Sequence, residues 1–273
     1  MGIISEMLSY PFMVRALIGG LLVSLCASLL GVSLVLKRYS MIGDGLSHVS
    51  FGSLSIALAA GWSPLKVSIP VVVLAAFFLL RITEHGKSDA AIAMISASAL
   101  AIGIIVTSLT TGMTTDVSSY MFGSILAMSR EDVQFAAVLS MVVLGLYLFC
   151  YNKVFAVTFD ESFAKATGVN VSLYNVLIAV LTAITIVIGM RMMGAMLISS
   201  LIIFPALTSM RVFKSFRGVV IASGILSLIC FFGGMVMSYT YSTPAGASVV
   251  VVDLAAFLLF SLIQRGIAAT ARK

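Results

Sequence analysis

Apolar stretches without charge recur along this chain at lengths that match a lipid bilayer, and that pattern decides most of what it can fold into. About 20 apolar residues in a helix cross the hydrocarbon core. Nine segments are candidates: 16–36, 46–61, 64–80, 90–111, 133–151, 172–190, 192–210, 218–239 and 247–264. Two of them, 46–61 and 64–80, are short. Charged residues make up 10% of the 273, against about 25% in an average soluble domain, and the mean hydropathy is +1.18. No long polar region remains for a soluble catalytic domain. The expected fold class is an all-α integral membrane protein, a polytopic bundle forming one transmembrane domain over residues 1–273. Residues 1–11 carry no basic flank and no small-residue cleavage site, so a cleaved signal peptide is not expected.

The net charge of +6 is spread over loops, as topology-setting charges are, and does not point to nucleic acid. Basic residues cluster at Lys37-Arg38, at 81–87, at Lys153 and Lys165, at Arg211, Lys214 and Arg217, and at 265–273. The last three clusters alternate with loops 191–193 and 240–246, which are nearly free of positive charge. Loop 152–171 and the C-terminus are therefore expected in the cytoplasm. The side of the N-terminus stays open. Five candidates before residue 152 put it outside and four put it inside, and one segment, short or broken near Asp44, need not cross fully. Segment 113–131, polar at both ends, reads as a short interfacial helix. Cys26, Cys150 and Cys230 lie singly inside apolar segments and form no disulfide or metal framework.

Asp44 and His48 sit at the start of an apolar run, in Met41-Ile42-Gly43-Asp44-Gly45-Leu46-Ser47-His48. On a helix, a spacing of four puts both side chains on one face, one turn apart. A carboxylate oxygen and an imidazole nitrogen together suit zinc, manganese or ferrous iron. The same pair could instead be an edge acid and a histidine bonded to a neighbouring helix, and spacing leaves both readings open. Two ligands are too few for a tight site, but a transport path must release what it binds. Gly43, Gly45 and Ser47 permit close backbone approach. Asp253 is a second intramembrane acid, either in the path or paired across helices. His85 reads as a solvated loop residue, Arg191 as an interfacial turn residue that snorkels, and the sixteen methionines as packing. Pro205 should kink its helix, and Thr243-Pro244-Ala245-Gly246 reads as a turn.

Residues 157–169 read as a short capped helix. Asp160 is its N-cap or first-turn acid, Lys165 lies near its end, and Gly168 sits where a helix stops. Phe159, Phe163, Ala164 and Val169 give it an apolar side, to rest on the membrane or to insert into a cytoplasmic partner. No Gly-x-x-x-x-Gly-Lys-Ser/Thr occurs, so an ATP-driven version of this chain needs its motor on another polypeptide.

These blocks in this order resemble the permease subunits of the bacterial zinc, manganese and iron ABC importers, the ABC-3 family, from about residue 14 to 264. The first block is similar to the family's Gly-Asp-x-x-x-His segment. Thr115-Asp116 through Phe122-Gly123-Ser124-Ile125-Leu126, then Phe159-Asp160 through Ala164 and Gly168, continue the match. Leu197-Ile198-Ser199-Ser200-Leu201-Ile202-Ile203-Phe204-Pro205-Ala206 and Thr243-Pro244-Ala245-Gly246-Ala247-Ser248 complete it. The resemblance implies a type II ABC importer-like permease of about eight (8–9) spanning helices in the bacterial cytoplasmic membrane. It implies that Asp44 and His48 line the path of a divalent metal, zinc or manganese and possibly iron, which is substrate and not a resident cofactor. It implies that residues 159–169, with Phe159, Asp160, Glu161, Phe163, Ala164 and Gly168, form the coupling helix that docks on a separate ABC ATPase. Further implied partners are an extracytoplasmic metal-binding protein and a second permease copy. The chain itself is not expected to be an enzyme. Asp253 departs from the family pattern. Two other functions compete: an ion- or proton-coupled secondary transporter using Asp44, His48 and Asp253 as a relay, and a permease for siderophores or vitamin B12.

Overall fold

The structure, a computed structural model, describes residues 3–84, 88–110 and 130–270. Among these residues there are twelve helices and no strand. They are α1 (Ile3–Ser9), α2 (Pro11–Leu36), α3 (Ser40–Ala59), α4 (Pro64–Glu84), α5 (Ser88–Leu109) and α6 (Arg130–Phe149). There follow α7 (Tyr151–Phe159), α8 (Glu161–Ala166), α9 (Val171–Met193), α10 (Ala195–Met210), α11 (Phe216–Tyr241) and α12 (Ala245–Thr270). Six of them, α2, α4, α5, α9, α11 and α12, are long and apolar enough to cross a membrane. A seventh span results if α6 and α7 count as one helix bent by 67°. α10 has 16 residues and is shorter. α3 has the length, but Asp44, His48 and five serines dilute its apolar character, and it is not among the six.

α2 is the axis of the bundle, with 72% of its apolar window buried. Close approach there depends on small residues, because lipid provides no hydrophobic push between helices and packing must come from contact area. A Cβ built on Gly20 would lie 2.0 Å from Cζ of Phe231 in α11. One to two turns on, Ser227 Oγ donates to the Ser24 carbonyl (3.0 Å) and Ser223 Oγ to the Ser28 carbonyl (3.2 Å). α2 and α11 are therefore antiparallel. α6 runs parallel to α2, with Cys26 Sγ donating to the Ser140 carbonyl at 3.5 Å.

Two faces follow from the helix ends. Lys37 at the end of α2 meets Glu161, which opens α8, and Asn175 in the second turn of α9. Phe216, which opens α11, packs against Phe155 and Phe159 of α7, with ring centroids 5.1 and 5.9 Å away. α12 returns antiparallel to α11, Gly234 lying against Val249. Its C-terminal end reaches the α8 face, where Arg211 Nη1 donates to Gln264 Oε1 (3.4 Å). Tyr10, between α1 and α2, stacks near Tyr239 at 6.4 Å, which sets the N-terminus on the opposite face.

Four sequence expectations shift. Segment 46–61 begins earlier, at Ser40, so Asp44 and His48 lie inside the helix. Segment 133–151 ends at Phe149 and continues after the bend as α7. Phe159 belongs to α7, and the helix expected over 159–169 is the six-residue α8. α3 is continuous past Asp44, which removes the alternative of a segment broken there, and the backbone breaks at Gly194, whose φ of +86° only glycine adopts freely. Gly189 backs onto Val23, halfway along α2, so the Gly194 turn lies deep in the bundle. Arg191 is an exposed residue of the last turn of α9, three residues before this turn. Irregular backbone at that depth is tolerated because protein surrounds it: Met190, Met192, Met193 and Ala195 are all buried. His85 and the expected interfacial helix over 113–131, apart from Arg130 and Glu131 in α6, lie outside the described residues.

Candidate functional site

α3 starts where α2 has been stopped. Arg38 takes a left-handed conformation (φ +61°). Tyr39 N–H donates to the Leu34 carbonyl (2.7 Å) and Arg38 N–H to the Val35 carbonyl (3.1 Å). That bond pattern is a Schellman motif, which closes a helix sharply. The helix that follows carries Asp44 and His48 one turn apart.

Glycines set which way this pair faces. A Cβ on Gly45 would lie 2.9 Å from Cγ2 of Ile92 in α5, and one on Gly52 would lie 2.7 Å from the Ala99 carbonyl oxygen. On the other flank Gly43 leaves contact distance to Ile202 of α10, and Ser199 Oγ donates to Ser47 Oγ at 3.4 Å. α3 is thus pinched between α5 and α10, and Asp44 and His48 point out between them. His48 Nε2 stands 3.7 Å from Asp44 Oδ2, beyond hydrogen-bond range. Metal–ligand bonds of about 2.0–2.2 Å at a tetrahedral angle separate two donor atoms by about 3.4 Å, close to the observed gap. The side chains are 20% and 43% exposed, so the pair is reachable from outside the chain. Nδ1 of His48 is buried with no hydrogen-bond partner. Among the described residues no group of three or more His, Cys, Asp or Glu side chains could hold a metal. The pair stands alone: it offers two ligand-type atoms, one oxygen and one nitrogen, on one turn of α3.

Asp253 is not part of it. Its carboxylate is 1% exposed between α11 and α12, set against the Cys230 thiol, and Oδ2 has no hydrogen-bond partner.

The cap and the stop of α8 fall where the sequence puts them. Asp160 accepts from the Phe163 N–H at 2.9 Å as N-cap, Lys165 occupies the last turn, and Gly168 follows at φ +81°. Ala164 is buried and seats the helix, while Phe159 and Phe163 are exposed. Glu161 forms an ion pair with Lys37. Burial by itself would raise the Glu161 carboxyl, but hydrogen bonds from Lys37 and Asn175 and the Lys37 charge hold it below the ordinary carboxylate value. Sequence reasoning missed Lys37 and Asn175 as partners of this helix. They lie 124 and 14 residues from Glu161, and no local spacing signals the contact.

The model of the ABC 3 transport family matches residues 9–264. The high-affinity zinc uptake system membrane protein ZnuB of Haemophilus influenzae is 28% identical, over 94% of this chain and 98% of its own. ZnuB of Buchnera aphidicola is 30% identical over 85% and 90%. The structure of PsaBC from Streptococcus pneumoniae in complex with Fab superposes with a TM-score of 0.85 at 27% identity, covering 94% of both chains. With its family model matched over nearly the whole length, the chain belongs to the ABC 3 transport family.

Proposed function

We propose that this chain is the membrane-spanning permease of an ABC importer that moves a divalent transition-metal cation, zinc or manganese and possibly iron, into the cytoplasm. The observation that carries the reading is the Asp44–His48 pair: two unbonded ligand atoms 3.7 Å apart on one helix face of a membrane bundle. The cation sheds part of its water shell to this oxygen and nitrogen, passes, and is released because the site holds so few ligands. The zinc uptake proteins among its relatives support the substrate class.

In this proposal α8 docks on a separate ATPase, with exposed Phe163 and Phe159 entering its surface and the Asp160 cap and Gly168 stop keeping the knob rigid. An extracytoplasmic binding protein delivers the metal, and a second permease copy closes the path opposite α3. With α8 on the cytoplasmic side, the C-terminus is cytoplasmic and the N-terminus external. The helices α2 to α6 and α9 to α12 then alternate in direction, α10 running only part of the way. Asp253 can join the path only if α11 and α12 part, since its carboxylate is sealed between them.

The test is uptake of zinc and manganese in a strain lacking other importers. Loss of an outer-shell partner of a metal costs about 10–100-fold, so Asp44→Ala and His48→Ala should each lower uptake by at least about tenfold. Unchanged uptake in both would remove the site.

A further inference from the structure

We propose that Lys37 is the positioning residue that carries movement of the docking helix α8 to the Asp44–His48 pair, an inference that rests on the functional reading above. The geometry joins three elements at one nitrogen. Lys37 Nζ pairs with Glu161 of α8 and donates to Asn175 Oδ1 of α9 at 2.8 Å. Asn175 Nδ2 closes the triangle on Glu161 Oε1 at 3.2 Å. Nζ also lies 5.7 Å from the centroid of the Tyr39 ring, on the segment that leads into α3. The Lys37 side chain is only 5% exposed, so its charge depends on these partners. Breaking a pair of this kind is costlier than never having made it, because one charge is left stranded.

Two features make the junction a lever and not only a staple. First, Lys37 is the C-cap of α2, and the two residues after it form the tight turn into α3. A left-handed arginine is strained relative to an ordinary conformation, and the two backbone bonds of the turn hold it there. The corner therefore has little slack. Second, α3 is one unbroken helix from Ser40, and at 1.5 Å per residue Asp44 lies about 6 Å along the axis from that start. A push on α8 through Glu161 displaces the corner, and the corner displaces the metal pair. Asn175 receives the same push, and α9 leads from it to the deep Gly194 turn.

The experiment uses the complete transporter, permease with its ATPase and binding protein, in proteoliposomes, and reads zinc and manganese moved per ATP hydrolysed. Coupling between sites commonly amounts to about 5–150-fold, so Lys37→Met should lower the metal moved per ATP about fivefold or more while the permease still co-purifies with its ATPase. Lys37→Met and Glu161→Gln together should lose no more than the worse single variant, since both cut one link. An unchanged ratio in Lys37→Met overturns the proposal, as does a loss that comes only with loss of the ATPase, which would make Lys37 a staple for docking. If Lys37→Met does not reach the membrane, Glu161→Gln, at a 49% exposed carboxylate, reads the same ratio, and no change there also overturns it. Failure of this inference is separable from failure of the functional reading: Asp44→Ala and His48→Ala retain uptake only in the second case.

Discussion

Gly31 and Ile202 meet backbone to backbone: a Cβ built on Gly31 would lie 1.9 Å from the carbonyl oxygen of Ile202. This is where α2, the bundle axis, touches α10, the short helix against which α3 also rests. Neither side of the contact is a flexible side chain, so an added methyl cannot be accommodated by a rotamer change.

Gly31→Ala should therefore separate α2 from α10. Overpacking of a closed core typically costs about 1–3 kcal/mol, and a contact on backbone atoms belongs at the upper end. The expected outcome is a lower melting temperature and lower yield of monodisperse protein in detergent. Gly145→Ala serves as the control, since nothing lies within 4 Å of its added Cβ. Equal stability of the two variants would show that the α2–α10 contact is not tight.

The helix α8, which docks on the ATPase in the proposed function, has six residues, too few to persist without its cap. Asp160 supplies it through the bond to the Phe163 N–H. Replacing such a cap by alanine costs about 1 kcal/mol, so Asp160→Ala should fray α8 and weaken co-purification of the ATPase about fivefold. Asp160→Asn keeps the acceptor and should restore most of it. Amide exchange at residues 161–166 gives a second readout, with faster exchange expected only in the alanine variant.

Glu161 gives the junction a direction with pH. Its folded-state value lies below the ordinary 4.5. A carboxyl lowered by folding contributes stability that is fully present above its unfolded value and is lost as pH falls through the folded one. Thermal stability of the native permease should fall on acidification through and below about pH 4.5, and Glu161→Gln should lack that part of the decline. Parallel acid profiles in the two proteins would mean that Lys37 does not hold this carboxylate.

Much of the architecture was legible along the chain because its causes are local. Whether a stretch crosses lipid depends on its own length and hydropathy, and candidate segments such as 16–36, 172–190 and 218–239 reappear as α2, α9 and α11. The Asp160 cap and the Gly168 stop were legible for the same reason, since a cap and its N–H lie three residues apart. Asp44 and His48 were legible as a pair because helical periodicity alone stacks positions four apart. The start of α3 was misjudged because polar residues near its beginning lower apolarity without stopping a helix that neighbouring helices bury. The interruption was legible at Arg191, three residues from Gly194, but its depth was not, because a turn at that depth is stable only with buried side chains around it.

The chain on its own determined a membrane-embedded helical bundle, an acid and a histidine on one helix turn, and a short capped helix between two apolar segments. Each depends on interactions reaching at most a few residues. Only the tertiary structure decided where the pair points, through the glycines that press α3 between α5 and α10, and what holds α8, through Lys37 brought to Glu161 across 124 positions. Packing and burial set those choices, and they act between surfaces whose separation in sequence carries no signal.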